Sequence, residues 1–167
     1  MESPEIEKEI QREKDEEIHI KKILVPIDGS THSMNAAKYA IELSKLQNAQ
    51  LMVIHVISML PADYEYVIPA IAGPSIQTYF ENVKDHVQLW FNPIITIAKN
   101  EGIDDVKTDV FMVIKSVADA IINYANNHSV DLIVMGTKGR TGLSRFVMGS
   151  VAYSVQQHAH CPVLLVR

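Results

Sequence analysis

A single cysteine, Cys161, stands among 167 residues. That excludes an intrachain disulfide, leaves the fold to packing, and agrees with a reducing compartment. No apolar stretch approaches the ~18 residues of a membrane-spanning helix. The opening residues, MESPEIEKEI, are acidic and lack the apolar segment of a signal peptide. A cytoplasmic chain without membrane insertion is expected. Two common phosphate-binding signatures are also missing: there is no G-x4-G-K-[ST], and no G-x-G-x2-G after the first apolar run. Acid is absent beyond Asp131, although Lys138, Arg140, Arg145 and Arg167 follow it.

What is present is 47% hydrophobic and 21% charged, a globular balance whose length suits one domain, since domains run to roughly 100–200 residues. Charge is unevenly placed. Residues 1–20 hold eight acids and three bases, which accounts for the whole net charge of −5 and leaves residues 21–167 neutral. The reading is an acidic N-terminal extension over 1–20, solvated or loosely helical, and one folded domain over 21–167. The net charge says little about a long duplex nucleic acid, but the local cationic stretch after Asp131 favours a small polyanion, and no nucleic-acid partner is expected.

The folded part alternates in type. Ile23–Ile27 and Leu51–Ile57 are short continuous apolar runs, as are the segments 131–135 and 162–166; residues 106–113 read as a further strand. Between them lie helical patterns. One carries Ala36, Ala37, Ala40, Ile41, Leu43 and Leu46 as candidates to cover a sheet, and a second spans Ile76–Asn100 with a bend or an interruption near Pro93. A third is opened by the capping pattern Ser116-Val-Ala-Asp119, and the last covers Val151–His158. The stretch from Ser58 to Ser75 contains three prolines and reads as a long loop. Strands that are apolar throughout and separated by helices imply a parallel sheet covered on both faces. The expected fold is therefore α/β: a single doubly wound, Rossmann-like open sheet of five mainly parallel strands.

Ligands of such sheets sit beyond the strand carboxyl ends, where strand order reverses. Three segments end there: Pro26–Ser30, His55–Ile57, and the loop GTKGRTGLSRFVMGS from Gly136 to Ser150. The loop has the spacing G-x2-G-x9-G-S, at Gly136, Gly139, Gly149 and Ser150. Glycines permit positive φ and close backbone approach, and a helix opening at Gly149-Ser150 presents unpaired N–H groups to an anion. By themselves these features fit a phosphate site or a plain structural loop.

The combination of Ile23-Leu-Val-Pro-Ile-Asp-Gly-Ser30, His55-Val56, Asp131-Leu-Ile-Val-Met-Gly136, the glycine signature and Cys161-Pro-Val-Leu-Leu-Val166 resembles the universal stress protein family, in its ATP-binding branch, over about residues 20–167. The resemblance implies an ATP-binding regulatory module, with Mg²⁺ accompanying the nucleotide. Pro26, Asp28 and Val56 match positions around the adenosine. Met135 and Gly136 match positions lining the nucleoside, and Gly139, Gly149, Ser150 and Val151 match the phosphate cradle. It also implies a homodimer through the C-terminal strand, whose edge position would leave backbone groups open to pairing.

Other readings are weaker. A receiver domain needs a phosphoacceptor Asp at the end of strand three, which instead closes Phe111-Met-Val-Ile-Lys115. His158, His160 and Cys161 read as helix-end histidines and a packed thiol rather than a metal site, and His55 as a pocket-edge histidine rather than a base. No catalytic residue is assigned; slow ATP hydrolysis is the most the residues suggest. An interaction protein of the same fold, using the 1–20 arm and the 58–75 loop toward a regulatory partner, is the alternative.

Overall fold

A computed structural model describes residues 19–58, 76–114, 116–139 and 148–167. The acidic arm up to residue 18, most of the long loop with Tyr64, Tyr66, Ile68 and Ile71, and both Arg140 and Arg145 lie outside the described residues. The elements run β1 (Lys22–Pro26), α1 (Thr31–Gln47), β2 (Gln50–Ser58), α2 (Ile76–Asn100), β3 (Val106–Val113), α3 (Val117–His128), β4 (Leu132–Gly136), α4 (Ser150–His158) and β5 (Val163–Val166). Every strand pairing is parallel, in the order β3-β2-β1-β4-β5. This is the expected doubly wound α/β sheet. No helix among the described residues is long and apolar enough to cross a membrane.

Alternation along the strands divides the core in two. Ile23, Val25, Leu51, Val53, Leu132 and Val134 face one layer, which α1 and α2 cover through Ala36, Ala40, Ile41, Phe91 and Ile94. Leu24, Met52, Ile54, Ile133 and Met135 face the other, covered by α3 and α4 through Ile121, Ala125, Ala152 and Val155. Both faces are therefore dry, which explains why the central strands show no polar alternation. Asp131 is a turn residue, not the first of β4. Its Oδ2 accepts from the amides of Lys21 and Lys22 at 2.8 and 2.9 Å, tying the start of β4 to the start of β1.

Two expectations need correction. Leu46 does not cover the sheet; it is 76% exposed. The buried stripe of α1 runs through Ser33, Ala36, Ala37, Ala40, Ile41 and Ser44, and a residue two places beyond Ser44 is rotated about 200° away from it. Nor does Pro93 interrupt α2, which runs unbroken around it. Pro93 is exposed while Phe91, Ile94 and Ala98 are buried. The carbonyl of Leu89, which loses its helical donor to the proline, thus lies on the solvent side, where water supplies the missing hydrogen bond.

The two helices give opposite expectations for substitution. Phe91→Ala, at a site with no exposure, should cost about 3–5 kcal/mol in chemical denaturation, whereas Leu46→Lys should change stability by less than about 0.5 kcal/mol. A large loss for Leu46→Lys would show that the α1 face is covered by something else.

Candidate functional site

The site begins with a failure of strand pairing. Lys21 O accepts from Gln50 N, and Ile27 N donates to Ile54 O at 2.8 Å, so the odd-numbered residues of β1 bond toward β2. Lys22 O accepts from Asp131 N on the other side, so even-numbered residues bond toward β4. Pro26 falls on that second phase and has no N–H to give. The β1–β4 register accordingly covers only Ile23↔Leu132 and Leu24↔Ile133, although both strands continue. Their carboxyl ends part, at the point where strand order reverses.

A cleft of about 160 Å³ opens in this gap. All of Pro26, Asp28, Val56, Met135, Gly136, Gly139, Gly149, Ser150 and Val151 line it. Sequence positions 26 to 151 thus converge on one wall-to-wall space. Its volume among the described residues is below the ~300–1,000 Å³ of ordinary small-molecule sites.

Val56 and Met135 form apolar wall together with Val117 and Ile121 of α3 and Ala152 of α4. Asp28, Ser33, Lys138 and Ser150 provide polar groups on the same cleft. Asp28 is set by a tight turn in which Gly29 takes φ +79°, a conformation glycine adopts without penalty. Ser30 N donates to Asp28 Oδ1 at 3.0 Å, closing an Asx turn. Ser30 then caps α1, its Oγ accepting from Ser33 N at 3.2 Å. The same hydroxyl donates to Lys138 O at 3.4 Å, joining the turn after β1 to the loop after β4.

Of the two uses read for the loop glycines, positive φ and close approach, the first is not the one met here. Positive φ among the described glycines occurs at Gly29 and Gly102, not at Gly136, Gly139 or Gly149. What the loop requires is absence of a side chain. A Cβ on Gly139 would stand 2.7 Å from Asp28 Oδ2, and one on Gly136 would stand 2.8 Å from the backbone carbon of His32. At Gly149 the nearest atom would be Thr137 O at 3.4 Å. Gly149 instead caps α4 with no side-chain hydrogen bond, and the first turn contains no acid. The N–H groups of that turn have no helical acceptor, and the helix end carries about half a positive charge. Such a helix end favours negative charge over positive.

Ring nitrogens of His55 and His158 meet backbone carbonyls. His55 Nδ1 lies 2.6 Å from Ile27 O, and His158 Nδ1 lies 2.9 Å from Ser154 O. Burial pushes the Cys161 thiol above its ordinary value, which lowers its thiolate content at neutral pH. No group of three or more His, Cys, Asp or Glu side chains among the described residues is arranged to hold a metal ion.

Sequence reasoning missed Ile27, Ser33, Val117, Ile121 and Ala152 as lining residues. Ser33 stands three places after a helix cap, which is a readable signal. Ile121 carried none, because the α3 stripe that covers the sheet also ends over the cleft.

Residues 19–167 match the model of the universal stress protein family. A universal stress protein of Methanocaldococcus jannaschii is 37% identical over 147 residues, covering 88% of this chain and 82% of that one. One from Bacillus subtilis is 31% identical over 147 residues, covering 87% and 98%. Among solved structures, the universal stress protein UspA from Lactobacillus plantarum superposes with a TM-score of 0.74 at 23% identity, covering 90% of this chain and all of that one. Two more share the fold: a universal stress protein in complex with cAMP (TM-score 0.66, 19% identity, 89% and 98% covered), and one from Archaeoglobus fulgidus in complex with dAMP (0.56, 20% identity, 90% and 100% covered).

Because crowding rather than φ restrains the loop, the glycines should differ in tolerance. Gly136→Ala should destabilise by about 1–3 kcal/mol, the usual cost of overpacking against backbone, while Gly149→Ala should cost less than about 1 kcal/mol. Equal losses in thermal or urea denaturation would contradict the steric account.

Proposed function

The chain belongs to the universal stress protein family, and on that premise we propose that its cleft holds ATP and that the domain is a nucleotide-dependent regulatory module. The observation that carries this reading is the meeting of an apolar cleft with an uncapped helix N-terminus beside Asp28 and the side-chain-free Gly139. Adenine and ribose would occupy the part walled by Val56, Met135 and Ile121. Asp28 would face the ribose or a phosphate-bound cation, with the phosphates running over Gly139 toward Gly149, Ser150 and Val151. Two fold neighbours are described as complexes with cAMP and dAMP, both adenine nucleotides, which supports the base assignment.

The fit for phosphate is electrostatic: the first turn of α4 has no side-chain cap and no acid, and its free N–H groups favour an anion. Mg²⁺ would arrive on the phosphates, since a single carboxylate plus phosphate oxygens and water is its ordinary environment. Among the described lining residues Asp28 is the only carboxylate, and the His55 imidazole is engaged with Ile27 O. This pairing suits retention of the nucleotide better than its hydrolysis.

A homodimer through β5 belongs to the same proposal. β5 is a sheet edge, and Leu164 on it is 37% exposed while Tyr153 on α4 is 59% exposed. An edge with apolar flanks pairs readily with its own copy across a two-fold axis.

Two measurements test the proposal. Calorimetric titration of nucleotide-stripped protein with ATP and Mg²⁺ should show saturable binding, lost in Gly139→Val and reduced at least about tenfold in Asp28→Ala; absence of wild-type binding would overturn the reading. Light scattering should give a dimeric mass that Leu164→Asp converts to a monomer, and a wild-type monomer at micromolar concentration would refute the β5 interface.

A further inference from the structure

The turn bearing Asp28 is braced by His55, at the edge of the cleft, and by Trp90, which does not line it. The peptide between Ile27 and Asp28 is held at both ends. Its carbonyl lies 2.6 Å from His55 Nδ1, and its N–H donates to Ser33 Oγ at 3.4 Å. A carbonyl only accepts, so Nδ1 carries the proton, which fixes the imidazole tautomer. One residue further on, Gly29 lies against the chain's one tryptophan. A Cβ there would stand 2.4 Å from Trp90 Cε2. The His55 ring meets Trp90 edge-on, with centroids 5.3 Å apart and planes at 77°, an arrangement favoured by the ring quadrupoles. His86 meets Trp90 in the same way, at 5.4 Å and 83°.

These contacts form a closed chain from β2 through His55 to Ile27, and from Trp90 of α2 to Gly29. Asp28 sits between the two held points. A planar peptide fixed at its oxygen and its hydrogen leaves the next residue little rotational freedom. Preorganisation of that kind raises affinity without touching the ligand.

Resting on the ATP reading above, we propose that His55 is a positioning residue for nucleotide binding. Its Nδ1–H, acting on Ile27 O with Trp90 as backstop, fixes the turn that presents Asp28. The reading separates His55 from a ring that merely fills space, because only the donor is required. Asn places an N–H on nearly the same path from Cβ as Nδ1–H does; Leu keeps the bulk and removes the donor.

The test compares wild type with His55→Leu and His55→Asn in two arms. Without ligand, amide hydrogen exchange is followed at Ser30, whose N–H bonds Asp28 Oδ1, with Ala125 in buried α3 as the monitor of global opening. Ser30 should exchange roughly fivefold or more faster in His55→Leu, beyond any change at Ala125, and near the wild-type rate in His55→Asn. With ATP and Mg²⁺, affinity should fall about tenfold in His55→Leu and return to within about twofold of wild type in His55→Asn, with Trp90 emission reporting both titrations. Unchanged Ser30 exchange in His55→Leu, or His55→Asn as impaired as His55→Leu, would overturn the inference. A wild-type protein that binds no ATP would overturn the nucleotide reading instead, and the exchange arm would still decide whether His55 holds the turn.

Discussion

The parting of β1 from β4 is the constraint on which the rest of the molecule depends. A parallel sheet with both faces covered has no reason to open, since each further ladder bond removes unsatisfied backbone groups. Pro26 provides the reason by withholding an N–H on the side toward β4 while the opposite phase of β1 stays bonded to β2. One missing donor thus splits the carboxyl ends without weakening the center of the sheet. The turn at Asp28, the loop after β4 and the α4 N-terminus are then free to line the gap.

The polar half of the cleft follows from where side chains are withheld. Gly139 lets the loop pass close against Asp28, Gly136 lets β4 pass close to the start of α1, and Gly149 opens α4 without a side chain that could satisfy its amides. The field of the helix end is therefore left for a ligand. Ser30 ties these parts together, because its one hydroxyl caps α1 and reaches Lys138 O. The two walls that would grip an anion are joined before any anion arrives, a condition for binding without large reorganisation.

The second layer shows how the core and the cleft share elements. α2 buries Phe91 and Ile94 against the sheet, and Trp90, the residue before Phe91, lies against Gly29. α3 similarly covers the sheet with Ala125 and the cleft with Ile121. Helices that serve both purposes cannot shift for one without disturbing the other, since protein interiors are close-packed.

The strand order of types, the doubly wound class and the convergence of Pro26, Asp28, Val56 and the glycine signature were legible in the amino-acid sequence. Continuous apolar runs are the direct consequence of burial on both faces, and Gly136 and Gly139 are the direct consequence of contacts that exclude a Cβ. Leu46 and Pro93 misled because composition does not say which way a helix turns its stripe or on which side a lost hydrogen bond can meet water. The wall formed by Ile121, the bond from His55 to Ile27 and the seat of Gly29 on Trp90 depended on tertiary structure alone. Each joins segments tens of residues apart, and local periodicity carries no information about which distant surface an apolar or aromatic side chain will meet. Sequence determined which segments could form a cleft at the strand ends; packing decided how that cleft is walled and how its Asp28 turn is held.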